Sequence, residues 1–393
     1  MDIQIFGDEK FLPHPIDLGD LLGRKQLSLD REAMTKLIKG KRVLITGAGG
    51  SIGSELTRQI VKASPMHLSL LDNGEFNLYK IDNEIREKYP SSSINTLIAD
   101  VRDRDRIESI FNNEKPEIVF HAAALKHVPL VETNPIEGIH TNSLGTKIIA
   151  DICLLFKVQK MVLISTDKAV NPINVMGAAK RAAEKYCQAV DISQDVTRFI
   201  TVRFGNVLGS AGSVIPLFQE QLSKGGPLTV THPDVERFFM TVSEAVELVL
   251  QAAALGPYEE TKGSVYVLDM GTPIKIIDLA RQLITLAGKT PDQEIKIKIT
   301  GLRAGEKITE ELFYGEEPPV MTKMEGVFVA KTNSLGFEDI RESMNSLLDC
   351  CKKQNKKDAL KILTKIVPEL SINNIIRDSS SDKEASSYLK VIK

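Results

Sequence analysis

Val43-Leu44-Ile45-Thr46-Gly47-Ala48-Gly49-Gly50-Ser51-Ile52-Gly53 is the stretch from which the rest of the chain can be read. The short apolar run Val43-Leu44-Ile45 does not alternate with polar residues, as expected of a strand buried on both faces. After it the chain must turn tightly, let a pyrophosphate approach bare backbone, and pack the next helix close. Each demand removes a Cβ, hence glycines at 47, 50 and 53. Helical spacing runs from Ile52 to Lys62, and the first amides of such a helix point at an anion. Asp72 closes the next apolar run, 25 residues after Gly47. An acid there accepts both ribose hydroxyls of NAD and repels the 2'-phosphate of NADP. A glycine-rich turn without a ligand is the alternative; the strand before, the helix after and the distant acid weigh against it.

The same rhythm continues outward. Leu68 to Leu71, Thr96 to Ala99, Ile118 to Phe120, Met161 to Ile164 and Phe199 to Val202 are short apolar runs, with helical patterns such as Glu75 to Lys88 between them. This series predicts an α/β fold, a Rossmann-like doubly wound parallel sheet, with NAD as cofactor. Asp100-Val101 ends the third run and stands either near the adenine or as a cap for the helix starting at Asp103. Ala122-Ala123-Ala124 follow the fourth run, small enough for the cofactor to lie on their backbone. His121 beside them reads as a packed histidine, because its neighbours are apolar. Gly49, Ser51, Ile52, Asn73 and Asn142 complete the expected cofactor contacts.

From about Gly205 the rhythm breaks into Gly- and Pro-rich loops. The expected organisation is an extension over 1–40, a cofactor-binding domain over 41–204 with later segments returning to it, and a smaller, mainly substrate-binding α/β domain over 205–335. Two helices over 336–376 and a mobile tail over 377–393 follow. The 393 residues carry 50 basic and 52 acidic side chains, a net charge of -2, which offers no basic field for nucleic acid. Four cysteines in no paired or His-flanked spacing fit a reduced, cytoplasmic setting and no metal site. No apolar run reaches the length of a membrane helix, and the first residues lack the pattern of a signal peptide.

The chemistry gathers after the fifth run. Ser165-Thr166-Asp167-Lys168 puts a hydroxyl, a carboxylate and an ammonium at the carboxyl end of a strand, where ligands bind in such sheets. Met176-Gly177-Ala178-Ala179-Lys180 opens the next helix. A helix cap and a surface charge are the plainer reading of Asp167 and Lys168.

The glycine loop, the strand-five hydroxyl and Lys180 resemble the extended short-chain dehydrogenase/reductases. The resemblance narrows on Thr46 to Leu56, Ala122-Ala123-Ala124-Leu125-Lys126-His127-Val128-Pro129, Ser165 to Ala169, Arg203-Phe204-Gly205-Asn206-Val207-Leu208-Gly209-Ser210 and Arg303-Ala304-Gly305-Glu306-Lys307. These look like the bacterial nucleotide-sugar 4,6-dehydratases of polysaccharide biosynthesis, from about Pro15 to Val329. The superfamily usually carries Tyr four residues before the lysine; Met176 stands there, and a thioether cannot relay a proton. The long, membrane-anchored form of the group is similar and also carries Met; this chain resembles its soluble catalytic portion.

The resemblance implies dehydration of UDP-N-acetylglucosamine: oxidation at C4, loss of water across C5 and C6, and reduction at C6. By position, Thr166 hydrogen-bonds the 4-hydroxyl, Asp167 is the acid at C6 and Lys168 the base at C5, its pKa lowered toward neutrality. The last two could be exchanged. Lys180 holds the nicotinamide ribose and Met176 walls the sugar. Lys126, Asn206, Ser213 and Val214 are expected at the substrate, Arg237, Arg303 and Glu306 at its diphosphate and ribose, and Thr229 and Thr231 at the uracil. Met176 suggests retention at C5. A 4-epimerase on the same sugar, or a silent NAD-binding regulator, are the other readings. A homo-oligomer, by default a dimer through helices near 135–156 and 175–190, is what such enzymes commonly form.

Overall fold

The computed structural model describes residues 29–255, 262–315, 319–330 and 335–370. Most of the expected extension and the whole of the expected tail lie outside these residues.

One nine-stranded sheet organises the chain. Its strands are β1 (Arg42–Thr46), β2 (His67–Asp72), β3 (Ile94–Ile98), β4 (Ile118–His121), β5 (Lys160–Ile164), β6 (Arg198–Arg203), β11 (Val265–Leu268), β14 (Val320–Met321) and β15 (Val327–Ala330). They lie in the order β14-β15-β11-β6-β5-β4-β1-β2-β3. From β3 to β11 every pairing is parallel; β15 and β14 close one edge antiparallel. The strand order reverses beside β1, which pairs with β2 on one side and β4 on the other. That reversal opens a crevice at the carboxyl ends of the strands, the usual binding place in such sheets.

Alternate residues of each strand feed two cores. Leu44, Leu71, Val119, Met161 and Leu163 face one layer, with α4 (Arg104–Glu114), α7 (Thr146–Leu155) and α8 (Val175–Ser193). Val43, Ile45, Leu68, Leu70 and Phe120 face the other, with α1 (Arg31–Ile38), α2 (Ser51–Lys62), α3 (Glu75–Lys88) and α10 (Val242–Ala254). Each fully buried aliphatic side chain contributes roughly 1.5–3 kcal/mol, and burial on both faces explains the unbroken apolar runs. Short helices α5 (Val128–Thr133) and α6 (Pro135–Ile139) and a π-helical turn (His140–Gly145) lead into α7.

A third apolar cluster lies apart. It joins α9 (Val214–Ser223) and α11 (Ile276–Leu286) to three two-stranded pairs: β7 (Asn206–Leu208) with β10 (Phe239–Thr241), β8 (Leu228–Val230) with β13 (Ile297–Ile299), and β9 (Glu236–Arg237) with β12 (Ile274–Lys275). Helices α12 (Phe337–Lys352) and α13 (Lys356–Ile366) return to the sheet side and pack on α8. Phe337 meets Tyr186, ring centroids 6.3 Å apart, and Lys185 donates to the Ile366 carbonyl at 2.9 Å. Consequently α8 is buried without a break from Val175 to Asp191. Among the described residues, α12 and α13 cover the α8 face that was expected to meet a second subunit. No helix among the described residues is long and apolar enough to cross a membrane.

Candidate active site

The loop after β1 leaves no room for side chains. Gly47 has φ +68°, and a Cβ there would lie 2.6 Å from the Ala123 nitrogen. One on Gly53 would lie 1.9 Å from the Gly47 carbonyl, so α2 packs directly on the loop. Gly50 precedes α2, and no side chain caps that helix start. Its first amides, at Ser51 and Ile52, are thus left for an anion, as a dinucleotide pyrophosphate requires. Asp72 accepts from the Gly49 amide and the Gly74 amide, both at 2.8 Å, which fixes the carboxylate at the rim of this cradle. The residues present fit a dinucleotide. Gly49 itself packs against α3, where a Cβ would meet Asn77 at 2.7 Å.

Asp100 is not a helix cap: Asp103 caps α4 by accepting from Arg106 N. Burial alone would raise Asp100, but Arg102, paired with it at 2.7 Å and joined by Asn73, holds it below the usual carboxylate range. Val101 is buried against Gly145. Ala122 and Ala123 run alongside Thr46, Ala122 N donating to its carbonyl at 3.1 Å, and Ala124 is exposed beyond them. Asn142 does not reach outward. Its side-chain amide accepts from Leu125 N and donates to Leu125 O, each at 2.8 Å, so it holds the loop after β4 in place. His121 is buried between the hydroxyls of Thr46 and Thr146, and burial with the Lys180 charge nearby lowers it to about 3. It is a neutral packed histidine.

β5 ends in an extended Thr166 and a single 3-10 turn, Asp167–Ala169. Thr166 Oγ1 donates to Asp167 Oδ1 at 2.9 Å. Lys168 Nζ donates to the same oxygen at 3.0 Å and to Asn206 Oδ1 at 3.1 Å, with Glu310 Oε1 at 3.4 Å. Three acceptors for three N–H bonds describe an ammonium. Burial pushes Lys168 down, but Asp167 and Glu310 outweigh it and hold the amine above its usual value. The expectation of a lowered Lys168 is corrected by these two carboxylates. Asp167 is wholly buried, and its Oδ2 has no donor. Met176 and Lys180 lie buried one turn apart on α8, whose start Asn174 caps by accepting from Gly177 N at 2.7 Å. Burial lowers Lys180 to about 8.

The expected substrate residues divide. Thr231 Oγ1, Arg237 and the Arg303 amide all converge on the Glu306 carboxylate, at 3.1, 3.3 and 3.1 Å. Arg237 does not present a free fork. Its terminal nitrogens donate to the carbonyls of Glu236, Ile308 and Lys307 as well as to Glu306, so it organises residues 306–308 instead of offering them to a diphosphate. Thr229 is held away from this group by Gln221, at 2.7 Å through its hydroxyl and 3.0 Å through its amide. Ser213 precedes α9 without capping it; its hydroxyl is shut from water and unpartnered, beside Val214 at the helix start. The preceding loop turns back to the cradle, Ala211 N donating to Ser51 Oγ at 3.2 Å. Gly212 in it rests on His127, next to Lys126, whose amine burial lowers.

Two buried acids beside the turn after β5 escaped the sequence reading. Glu310 is only 5% exposed, beside Lys168. Glu184 lies by the turn after β5, accepting from Ser165 Oγ at 2.6 Å and from Arg203 at 2.6 and 3.1 Å, with Arg181 at 3.1 Å. Helical periodicity marked Glu184 only as one polar position on α8. Nothing local marked Glu310.

A family model described as polysaccharide biosynthesis protein matches residues 43–332. Over 303 residues the chain is 50% identical to the capsular polysaccharide biosynthesis protein CapD of Staphylococcus aureus, covering 77% of this chain and 50% of that one. It therefore spans about half the length of that relative. A UDP-N-acetylglucosamine 4,6-dehydratase (inverting) of Campylobacter jejuni is 32% identical, over 76% of this chain and 85% of that one. A UDP-glucose 4-epimerase of Rickettsia akari is 36% identical, over 70% and 79%. Among solved structures, a dTDP-glucose 4,6-dehydratase of Streptomyces venezuelae with NAD bound superposes with a TM-score of 0.60 at 20% identity, over 69% of this chain and 87% of that one, a likeness of fold. Related in this way to nucleotide-sugar dehydratases and epimerases, the chain belongs to the polysaccharide biosynthesis protein family of extended short-chain dehydrogenase/reductases.

Proposed function

We propose that the chain binds NAD and dehydrates UDP-N-acetylglucosamine to a UDP-4-keto-6-deoxy-N-acetylhexosamine, with retention at C5. The observation that carries this reading is the hydrogen-bonded row of Thr166, Asp167 and Lys168 beside a buried Met176. An epimerase needs one group at the 4-hydroxyl; a dehydratase needs an acid and a base besides, and this row supplies them.

NAD, when bound over the glycine cradle with Asp72 at its ribose and Lys180 beneath, supplies the acceptor and donor for oxidation at C4 and reduction at C6. Thr166 already donates to Asp167, so a proton it receives from the 4-hydroxyl passes on to that carboxylate. This takes over the work that Met176 cannot do. Asp167, now protonated, is the acid for the departing 6-hydroxyl. Its neutralisation also removes the nearer of the two negative charges that hold Lys168 up, so burial lowers the amine, which passes its own proton to Glu310 Oε1 at 3.4 Å and is then free to take the one at C5. The charged pair of the substrate-free site is thus compatible with Asp167 as acid and Lys168 as base. We assign residues 205–335, apart from α10 and the strands that rejoin the sheet, to the substrate side, with Asn206, Ser213, Val214, Thr231, Arg303 and Glu306 the nearest to it.

Proton NMR of the chain with UDP-N-acetylglucosamine and catalytic NAD in D2O tests this. The expected result is a new C6 methyl signal without net NADH. Unchanged substrate signals would sink it. A galacto-configured spectrum would favour the second reading, a 4-epimerase, which the likeness to the Rickettsia enzyme supports.

A further inference from the structure

Glu310 enters the site from a segment that the sheet does not contain. Its Oε1 lies 3.4 Å from Lys168 Nζ and 4.0 Å from Arg237 Nε. Its Oε2 is buried and has no donor, as is true of Asp167 Oδ2 on the other side of the ammonium. An acceptor shut from water without a donor is costly, and persists where a ligand supplies the missing proton. The backbone that carries Glu310 is held against the turn after β5. Its segment is fastened to the catalytic loop by Tyr314 Oη on the Ala169 carbonyl at 2.7 Å, Lys307 Nζ on the Val170 carbonyl at 3.0 Å and Asn174 Nδ2 on the Gly305 carbonyl at 2.8 Å.

We propose that Glu310 reads the sugar: Oε1 holds Lys168 in place while Oε2 accepts a hydroxyl of the hexose of a nucleoside-diphosphate sugar. The choice of ligand end follows from sign. Two unpartnered carboxylate oxygens need donors and repel phosphate, and on such a ligand the hexose is the end rich in hydroxyl donors. This rests on the nucleotide-sugar reading above but not on dehydration. A purely structural ion pair is the competing account.

Isothermal titration of the chain loaded with NADH, which cannot accept a hydride and so prevents turnover, separates them. UDP and UDP-N-acetylglucosamine are the two probes, against wild type, Glu310→Gln and Glu310→Asp. Both variants should bind UDP as before and the UDP-sugar about tenfold or more weaker, the worth of a hydrogen bond to a charged acceptor. Equal affinities in all three proteins, or a parallel loss for both ligands, would overturn the proposal. Thermal unfolding checks that each variant folds; should Gln not fold, Asp, which keeps the charge but withdraws the oxygen, decides. The pH profile gives a second readout. Lys168 faces Asp167 on its own turn, Glu310 opposite, Arg237 on β9 and the neutral Asn206 on β7. Glu310→Gln removes one of the two groups holding it up, so the limb due to its deprotonation moves to lower pH whether or not Oε2 meets a hydroxyl, and the comparison of UDP with the UDP-sugar decides between the accounts. If UDP-sugar binding falls as expected while no methyl product forms in wild type, the dehydratase reading fails and this one stands.

Discussion

Replacing Glu184 by Gln should destabilise the chain more than any single surface change. The carboxylate sits fully buried between two guanidiniums that are themselves buried, Arg203 on β6 and Arg181 on its own helix. Oε1 accepts from Ser165 and Arg203 Nε, and Oε2 from Arg203 and Arg181. A Gln amide can keep only one of these positions as an acceptor. Whichever way it turns, its N–H bonds face an arginine donor; Arg203 loses its paired carboxylate and Arg181 keeps only the Glu369 carboxylate, at 3.9 Å. Removing one partner of such a group costs about 3–5 kcal/mol. At a urea m-value of roughly 3 kcal/mol/M the unfolding midpoint falls by about 1–1.7 M. Burial alone would raise Glu184, but Arg203 and Arg181 outweigh it and hold it below 4.5. A carboxylate depressed in the folded state stabilises above its unfolded pKa and loses that contribution as pH falls through its folded value. The gap between wild type and variant is therefore constant near neutrality and narrows in acid. Adding Arg203→Met to Glu184→Gln should recover part of the loss. A change under about 1 kcal/mol, against the cost of a broken buried pair, would refute the reasoning.

Gly53→Ala brings a Cβ to 1.9 Å of the Gly47 carbonyl, so loop and helix must separate. NADH titration by fluorescence should show at least about a tenfold weaker complex, with overpacking costing roughly 1–3 kcal/mol of stability; unchanged affinity would contradict the cradle. Lys180 is lowered by burial from 10.5 to about 8, so between these values the folded chain binds fewer protons than the unfolded one. Stability from this group consequently rises with pH across that window, and Lys180→Met should lose the rise in denaturant midpoint.

The sheet was legible because burial on both faces writes itself into strands as runs without alternation, and Leu44 beside Ile45 is that signal. The cradle was legible for a related reason: contacts at 1.9 and 2.6 Å leave glycine no substitute, and their spacing is local. The charge on Lys168 was only half legible: Asp167 stands next to it, but its second partner Glu310 comes from far along the chain and no pattern near 310 announces burial. The partners of Arg237 were hidden for the same reason. A guanidinium suits a diphosphate, but here backbone carbonyls that no sequence pattern reveals take its donors. Helices α12 and α13 were visible as periodicity, whereas their seat on α8 depends on tertiary packing alone.

The fastening of residues 305–314 onto the turn after β5 has a consequence for how the molecule comes into being on the ribosome. Asp72 is tied to Gly49 across only 23 residues, so the dinucleotide cradle can form early in synthesis. The bonds from Lys307 to Val170 and from Tyr314 to Ala169 span 137 and 145. Long-range closures of that kind come late in folding, and domains generally complete from the N-terminal side as the chain emerges. The nascent protein thus passes through a stage with its cradle built and the turn after β5 still uncovered by residues 305–314. The turn after β5 is covered only once Tyr314 has left the exit tunnel.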